Sequence, residues 1–166
     1  VSGSAVISDC GLYRYRLERH AIEGGGAGGV GWIMVNPSTA DANEDDPTVR
    51  KVLGFSARLG FGWVAVGNVF ALRSTDVRGL AKAADPIGPD NDRHIREIMR
   101  DVQTVIVAWG PLAKLPKLHR SRYQRVVRAA NDLGVTLHCL GTAQDGHPRH
   151  PLMLAYDTPL TPWKTA

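Results

Sequence analysis

At 166 residues with 43% hydrophobic side chains, the chain suffices for one packed domain, and no run approaches the roughly 18 apolar residues of a membrane span. Twenty Lys and Arg against 16 Asp and Glu give a net charge of +4, which excludes an acidic scaffold and admits an anionic partner. Cys10 and Cys139 stand far apart in no metal-type spacing, and the opening Val-Ser-Gly-Ser lacks the basic and apolar blocks of a secretory leader; a cytoplasmic protein with reduced thiols and no membrane partner is expected.

The first elements read as an antiparallel hairpin. Ala5-Val-Ile-Ser8 and Gly11 to Leu17 alternate polar and apolar residues around a turn at Asp9-Cys10-Gly11. Gly24 to Gly29 is a glycine-rich connection outside any strand–turn–helix context, so it is not read as a phosphate loop. Four apolar runs follow: Gly31–Val35, Trp63–Val66, Thr104–Trp109 and Val135–Leu140. Runs of this kind suit strands covered on both faces. Helices are expected between them. Asp46-Pro47 is an N-cap with proline at the first helical position, and Gly60 closes that helix. A second helix opens near Pro89 and runs through Ile95, Ile98 and Met99; a third covers about Arg122 to Leu133 before Gly134. The alternation predicts a single three-layer α/β domain with a mainly parallel central sheet. The hairpin and glycine connection occupy residues 1–30, the core 31–155 and a tail 156–166.

In such a sheet ligands lie beyond the carboxyl ends of the strands. The residues leaving the four runs are Asn36-Pro37-Ser38, Gly67-Asn68, Trp109-Gly110-Pro111, and the loop Asp145-Gly-His147-Pro-Arg149-His150-Pro-Leu152. Each has a structural reading as a turn former or core residue, but two amides and two imidazoles converging on one end of a sheet point to a binding site. From Val102 to Ala130 there is no acid, while Lys114, Lys117, Arg120, Arg122, Arg125 and Arg128 all occur. That stretch is either a solvated helix face or a phosphate-tracking pole.

The strand-end segments Met34-Val-Asn36-Pro-Ser38, Asn68, Val107-Ala-Trp109-Gly110 and a His-Pro loop resemble, in order and placement, the motifs of the uracil-DNA glycosylase superfamily over about residues 31 to 155. Ser38 and Arg149 depart from the Gly and Ser of those motifs. The runs NPSTADANEDDPT, NVFALRSTD, PIGPDND and GHPRHPL are similar to a bacterial and phage family of unknown function.

The glycosylase resemblance implies a uracil-DNA glycosylase-like fold and hydrolysis of the N-glycosidic bond of a flipped uracil-type or modified base, without cofactor or metal, by a monomer acting on single- or double-stranded DNA or a nucleotide. It implies that Asn36 orients the water, that His147, or failing it His150, donates to the departing base, and that Asn68 pairs with the base edge. Phe55 or Phe70 is a candidate stacking partner, with core packing the other reading for both. Lys114, Lys117, Arg120, Arg122, Arg125 and Arg149 are the candidate DNA contacts. In the His-Pro loop, Arg149, Leu152 or Met153 is the candidate wedge for the gap a flipped base leaves.

Two other classes fit the same residues. A metal-dependent hydrolase would use Asp41, Glu44, Asp45 and Asp46, or Asp145 with His147 and His150. A non-catalytic binder of DNA or of a modified nucleotide would keep the pocket without turnover.

Overall fold

The computed structural model describes residues 1–165. In chain order the elements are β1 (Ser2–Ile7), β2 (Arg14–His20), β3 (Gly28–Met34), α1 (Pro47–Arg58), β4 (Phe61–Asn68), α2 (Asn91–Asp101), β5 (Thr104–Val107), α3 (Tyr123–Leu133), β6 (Leu137–Cys139) and β7 (Thr161–Pro162). Short 3-10 turns cover Val77–Lys82, Leu112–Lys114 and Lys117–His119. All seven strands form one sheet in the order β1-β2-β4-β3-β5-β6-β7. β4, β3, β5 and β6 are mutually parallel, whereas β1, β2 and β7 attach antiparallel at the two flanks. The sheet is therefore mixed, parallel only at its centre.

The helices form as their local chemistry dictates. Asp46 caps α1 by accepting the Val49 N–H at 2.8 Å, with Pro47 in the first turn where no N–H is missed. Gly134, at φ 67°, ends α3 in the left-handed conformation that side chains with a Cβ disfavour.

Strand alternation then divides the core in two. Val30, Trp32, Met34, Val64, Val66, Ile106 and Ala108 face α1, whereas Ile33, Ala65, Val105, Val107 and Trp109 face α2 and α3. From β3 the chain crosses to β4 on one side, then returns past β3 to β5 and β6 on the other. Crossovers of one hand place α1 on one face and α2 and α3 on the opposite one. The point where direction reverses lies between β3 and β5, and a crevice opens there at their carboxyl ends.

Three segments outside the four central strands are built into the fold. The hairpin extends the sheet: β2 joins it against β4, pairing Leu17 with Val66. The glycine run is close-packed, because a Cβ on Gly26 would stand 2.4 Å from the Gly60 carbonyl oxygen, and Gly28 and Gly29 already belong to β3. The C-terminal segment is no free tail, since β7 pairs with β6 and Trp163 is buried beside Trp109.

Candidate functional site

A cavity of about 340 Å³ sits at this switch point. It is lined by Val35, Asn36 and Ser38 from the end of β3, Trp109, Gly110 and Pro111 from the end of β5, Ser74 and Thr75, Lys114, and His150 with Leu152. That volume is in the range of small-ligand pockets.

Asn36 is held in one orientation. Its Nδ2 donates to the Ser74 carbonyl at 2.7 Å and to the Pro37 carbonyl at 3.2 Å. Two carbonyl acceptors can be served only by the amide nitrogen, so Oδ1 is left as a fixed acceptor with no protein donor among the described residues. The backbone behind it is equally tied: Ser74 N–H donates to the Pro37 carbonyl at 2.9 Å, and Phe70 N–H to that of Val35 at 2.9 Å.

His150 has the complementary polarity. The Leu152 N–H donates to its Nδ1 at 3.2 Å, which puts the ring proton on Nε2, where no protein acceptor meets it among the described residues. Burial pushes its pKa below the ordinary histidine value, helped by the Lys114 charge and opposed by Asp46, so the ring is neutral at pH 7. A fixed acceptor and a neutral N–H donor thus line one crevice, with the exposed Lys114 ammonium beside them.

A second, narrower cavity of about 50 Å³ opens between α1 and the ends of β3 and β4. It shares Asn36, Ser38, Thr48 and His150 with the first and adds Asn68 and Arg14. Asn68 is 1% exposed, and its Nδ2 is buried without a partner. Its backbone is clamped by Asn91, whose Nδ2 donates to the Asn68 carbonyl at 2.8 Å and to that of Val69 at 3.2 Å. The structure therefore brings Asn36, Asn68 and His150 to two adjoining cavities that share part of their lining.

His147 is elsewhere. It is buried among Trp109, Tyr123 and Trp163, accepts the Trp109 Nε1–H at 3.3 Å on Nδ1, and lines neither cavity. Its contribution is to hold the Trp109 indole, which does line the larger one. Phe55 and Phe70 also stay out of the crevice: Phe55 packs under α1 against Trp32, and Phe70 lies in the opposite core against His119. Leu152 and Met153 are not core residues, being 40% and 90% exposed.

The basic stretch is partly spent on the fold. Arg122 is buried, pairs with Asp92 and donates to the Val69 carbonyl at 3.0 Å, so it cannot reach a phosphate outside. Arg125 also pairs with Asp92, and Arg120 donates to the Leu115 and Ala113 carbonyls. Lys114, Lys117, Arg128 and Arg149 are exposed and form no ion pair among the described residues. Of the acids weighed for a metal, all but Glu44 are engaged through their side chains. Asp46 caps α1, Asp41 accepts the N–H groups of Asn43 and Glu44, Asp45 pairs with Arg19, and Asp145 accepts those of Leu112 and His147. Among the described residues no three His, Cys, Asp or Glu are grouped to hold a metal ion.

Sequence reasoning missed Arg14 and Ser74. Ser74 acts through its backbone carbonyl, which no residue-type signal reports. No helix is long and apolar enough to cross a membrane among the described residues. No curated protein and no solved structure matches the chain. A family model does, over residues 14–152, a span that holds both cavities from Arg14 to Leu152. The chain belongs to the family described as protein of unknown function DUF1643.

Proposed function

We propose that the protein hydrolyses the N-glycosidic bond of a uracil-type or modified nucleotide unit bound in the crevice between β3 and β5. One observation carries this reading: Asn36 Oδ1 and His150 Nε2–H, an acceptor and a neutral donor, are held by backbone contacts in the same cavity. Hydrolysis needs both polarities. Asn36 Oδ1 accepts a hydrogen bond from the attacking water and aims its oxygen at the anomeric carbon; an amide is too weak a base to take the proton, so its role is placement. The bond from sugar to base breaks with its electron pair leaving on the base. His150 Nε2–H donates to the base oxygen as that charge develops. The proton released by water goes to solvent or to the departing base. Trp109, steadied by His147, offers an aromatic wall for the base. Exposed Leu152, which lines the cavity, and its exposed neighbour Met153 supply apolar side chains for the gap in a stack. Lys114, Lys117 and Arg149 supply charge for phosphates. Localisation in the cytoplasm and action as a monomer go with this reading.

Oligonucleotides carrying uracil or hydroxymethyluracil, incubated with the protein and then treated with alkali, test it. Strand breaks that survive EDTA are expected. A gel shift without breaks would replace the hydrolase by a binder, and breaks abolished by EDTA would replace it by a metal enzyme.

A further inference from the structure

Among the described residues three arginines are buried: Arg14, Arg19 and Arg122. Arg19 pairs with Asp45 and Arg122 with Asp92. Among the described residues Arg14 has no carboxylate partner. It is 3% exposed, its Nη1 donates to the Ala40 carbonyl at 2.7 Å, and its Nε is buried with no acceptor. Burial pulls its pKa down to about 10, so the group is still cationic at pH 7. Asp46 and Asp41 favour its charge only from a distance; a buried cation with no carboxylate in contact is costly, and a fold keeps one where something else completes it.

The side chain reaches this place through a backbone irregularity. In the β1–β2 ladder Val6 pairs with Arg16 and Ile7 with Arg14, leaving Tyr15 as the extra residue of a bulge. Leu17 and Arg19 face α1, so strict alternation would put Arg14 on the opposite face with Arg16. The bulge turns it into the narrow cavity instead. Two further donors line that cavity, together with the Asp46 carboxylate, which is engaged in capping the Val49 N–H. Asn68 Nδ2 is buried and bare, and Thr48, in the first turn of the 12-residue α1, lines the wall where the helix dipole is positive.

We infer that the narrow cavity between α1 and the ends of β3 and β4 is a seat for a terminal oxyanion of the phosphate monoester class, bound by Arg14, Asn68 and the start of α1. Its volume, about 50 Å³, compares with the roughly 10–15 Å³ one water needs and admits a group of a few heavy atoms. Buried Met34, Val49, Val52 and Val66 line it, and so narrow a space suits an end group better than the run of an internal phosphodiester. Because Asn36, Ser38, Thr48 and His150 line both spaces, a ligand with its phosphate in the seat would lay its body in the larger cavity beside Trp109. The ligand class this selects is a nucleoside monophosphate or a terminally phosphorylated strand. The inference concerns binding and holds whether or not a bond is broken.

Titration calorimetry on the full chain at constant ionic strength tests it, with inorganic phosphate as the first probe and chloride as control. Saturable one-to-one binding is expected, at least tenfold tighter for a nucleoside monophosphate than for its nucleoside. A dinucleotide carrying only an internal phosphodiester should gain nothing over the nucleoside. Arg14→Gln should weaken phosphate binding about tenfold or more, the loss of one charge-assisted bond. Asn68→Leu, which removes a donor that no protein group uses, should weaken it severalfold in a folded protein and supplies the test if Arg14→Gln does not fold. Wild-type protein indifferent to phosphate, equal affinity for nucleotide and nucleoside, or unchanged binding in both variants would overturn the seat. Base release with no phosphate binding would remove the seat and leave the hydrolase reading standing; phosphate binding without base release would do the reverse.

Discussion

Replacing Asn36 by alanine removes two things of different size. The donor side loses its bonds to the Ser74 and Pro37 carbonyls, of which the 2.7 Å contact is the stronger. Asn36 and Ser74 are both half-buried, so water can reach the freed carbonyl of Ser74, and the stability loss should be about 1–2 kcal/mol. The acceptor side loses Oδ1, the group that fixes the attacking water in the proposed reaction. Removing one preorganised hydrogen-bonding group from an active site lowers kcat by about 10²–10³. Asn36→Ala should therefore fall at least a hundredfold in single-turnover base release, read as alkali-labile breaks, while DNA affinity stays within a few-fold. Asn36→Asp separates the two effects: it keeps an acceptor toward the cavity but sets a second oxygen against two carbonyls, so it should be less stable than the alanine variant in urea. Full base release by Asn36→Ala would refute the placement role.

Lys117→Ala with Arg149→Ala removes two exposed cations that no acid engages; binding should weaken alike for all DNA sequences, and the slope of log affinity against log salt should flatten by about 1.5–2. An unchanged slope would move the phosphate track elsewhere. Ser56→Ala should cost about 1–3 kcal/mol in urea unfolding, because it strands the buried Trp32 indole N–H that donates to Ser56 Oγ at 3.0 Å; a loss under about 0.5 kcal/mol would mean the indole finds another acceptor. Burial lowers the pKa of His94, His147 and His150, so on acidification the unfolded chain takes up protons that the native rings refuse. Stability should be insensitive to these groups above the ordinary histidine value and fall as pH drops through about 6.5 toward the lowered native values, seen as a declining Tm. A Tm flat from pH 7.5 to 5.5 would contradict that burial.

The two histidines of the Asp145–Leu152 loop illustrate what residue types leave open. His147 and His150 each precede a proline and stand three residues apart, so the sequence treats them alike. Packing separates them: Asp145 accepts the His147 N–H, Trp109, Tyr123 and Trp163 enclose its ring, and His150 is left facing the crevice. Phe55 and Phe70 were equally ambiguous, as an aromatic near a strand end can stack on a ligand or fill a core. Here both fill the core, on opposite faces. In the basic stretch, charge counting could not tell Arg122 from Lys117, since only the approach of α2 brings Asp92 to one and not to the other.

The signals carried by the sequence alone were local. Asp46-Pro47 and Gly134 marked helix ends, apolar runs marked the central strands, and Asn36, Asn68 and Trp109 were identifiable as residues leaving those strands. Such features depend on neighbours a few positions away, where sequence separation and spatial separation agree. The sheet's mixed flanks, the burial of Trp163 and the direction of Arg14 arose only in three dimensions. A bulge is set by how β2 registers with β1 on one side and β4 on the other, and its cost is recovered by contacts from segments far along the chain. Alternation read along β2 by itself places Arg14 on the wrong face; the pairing of three strands turns it toward the crevice.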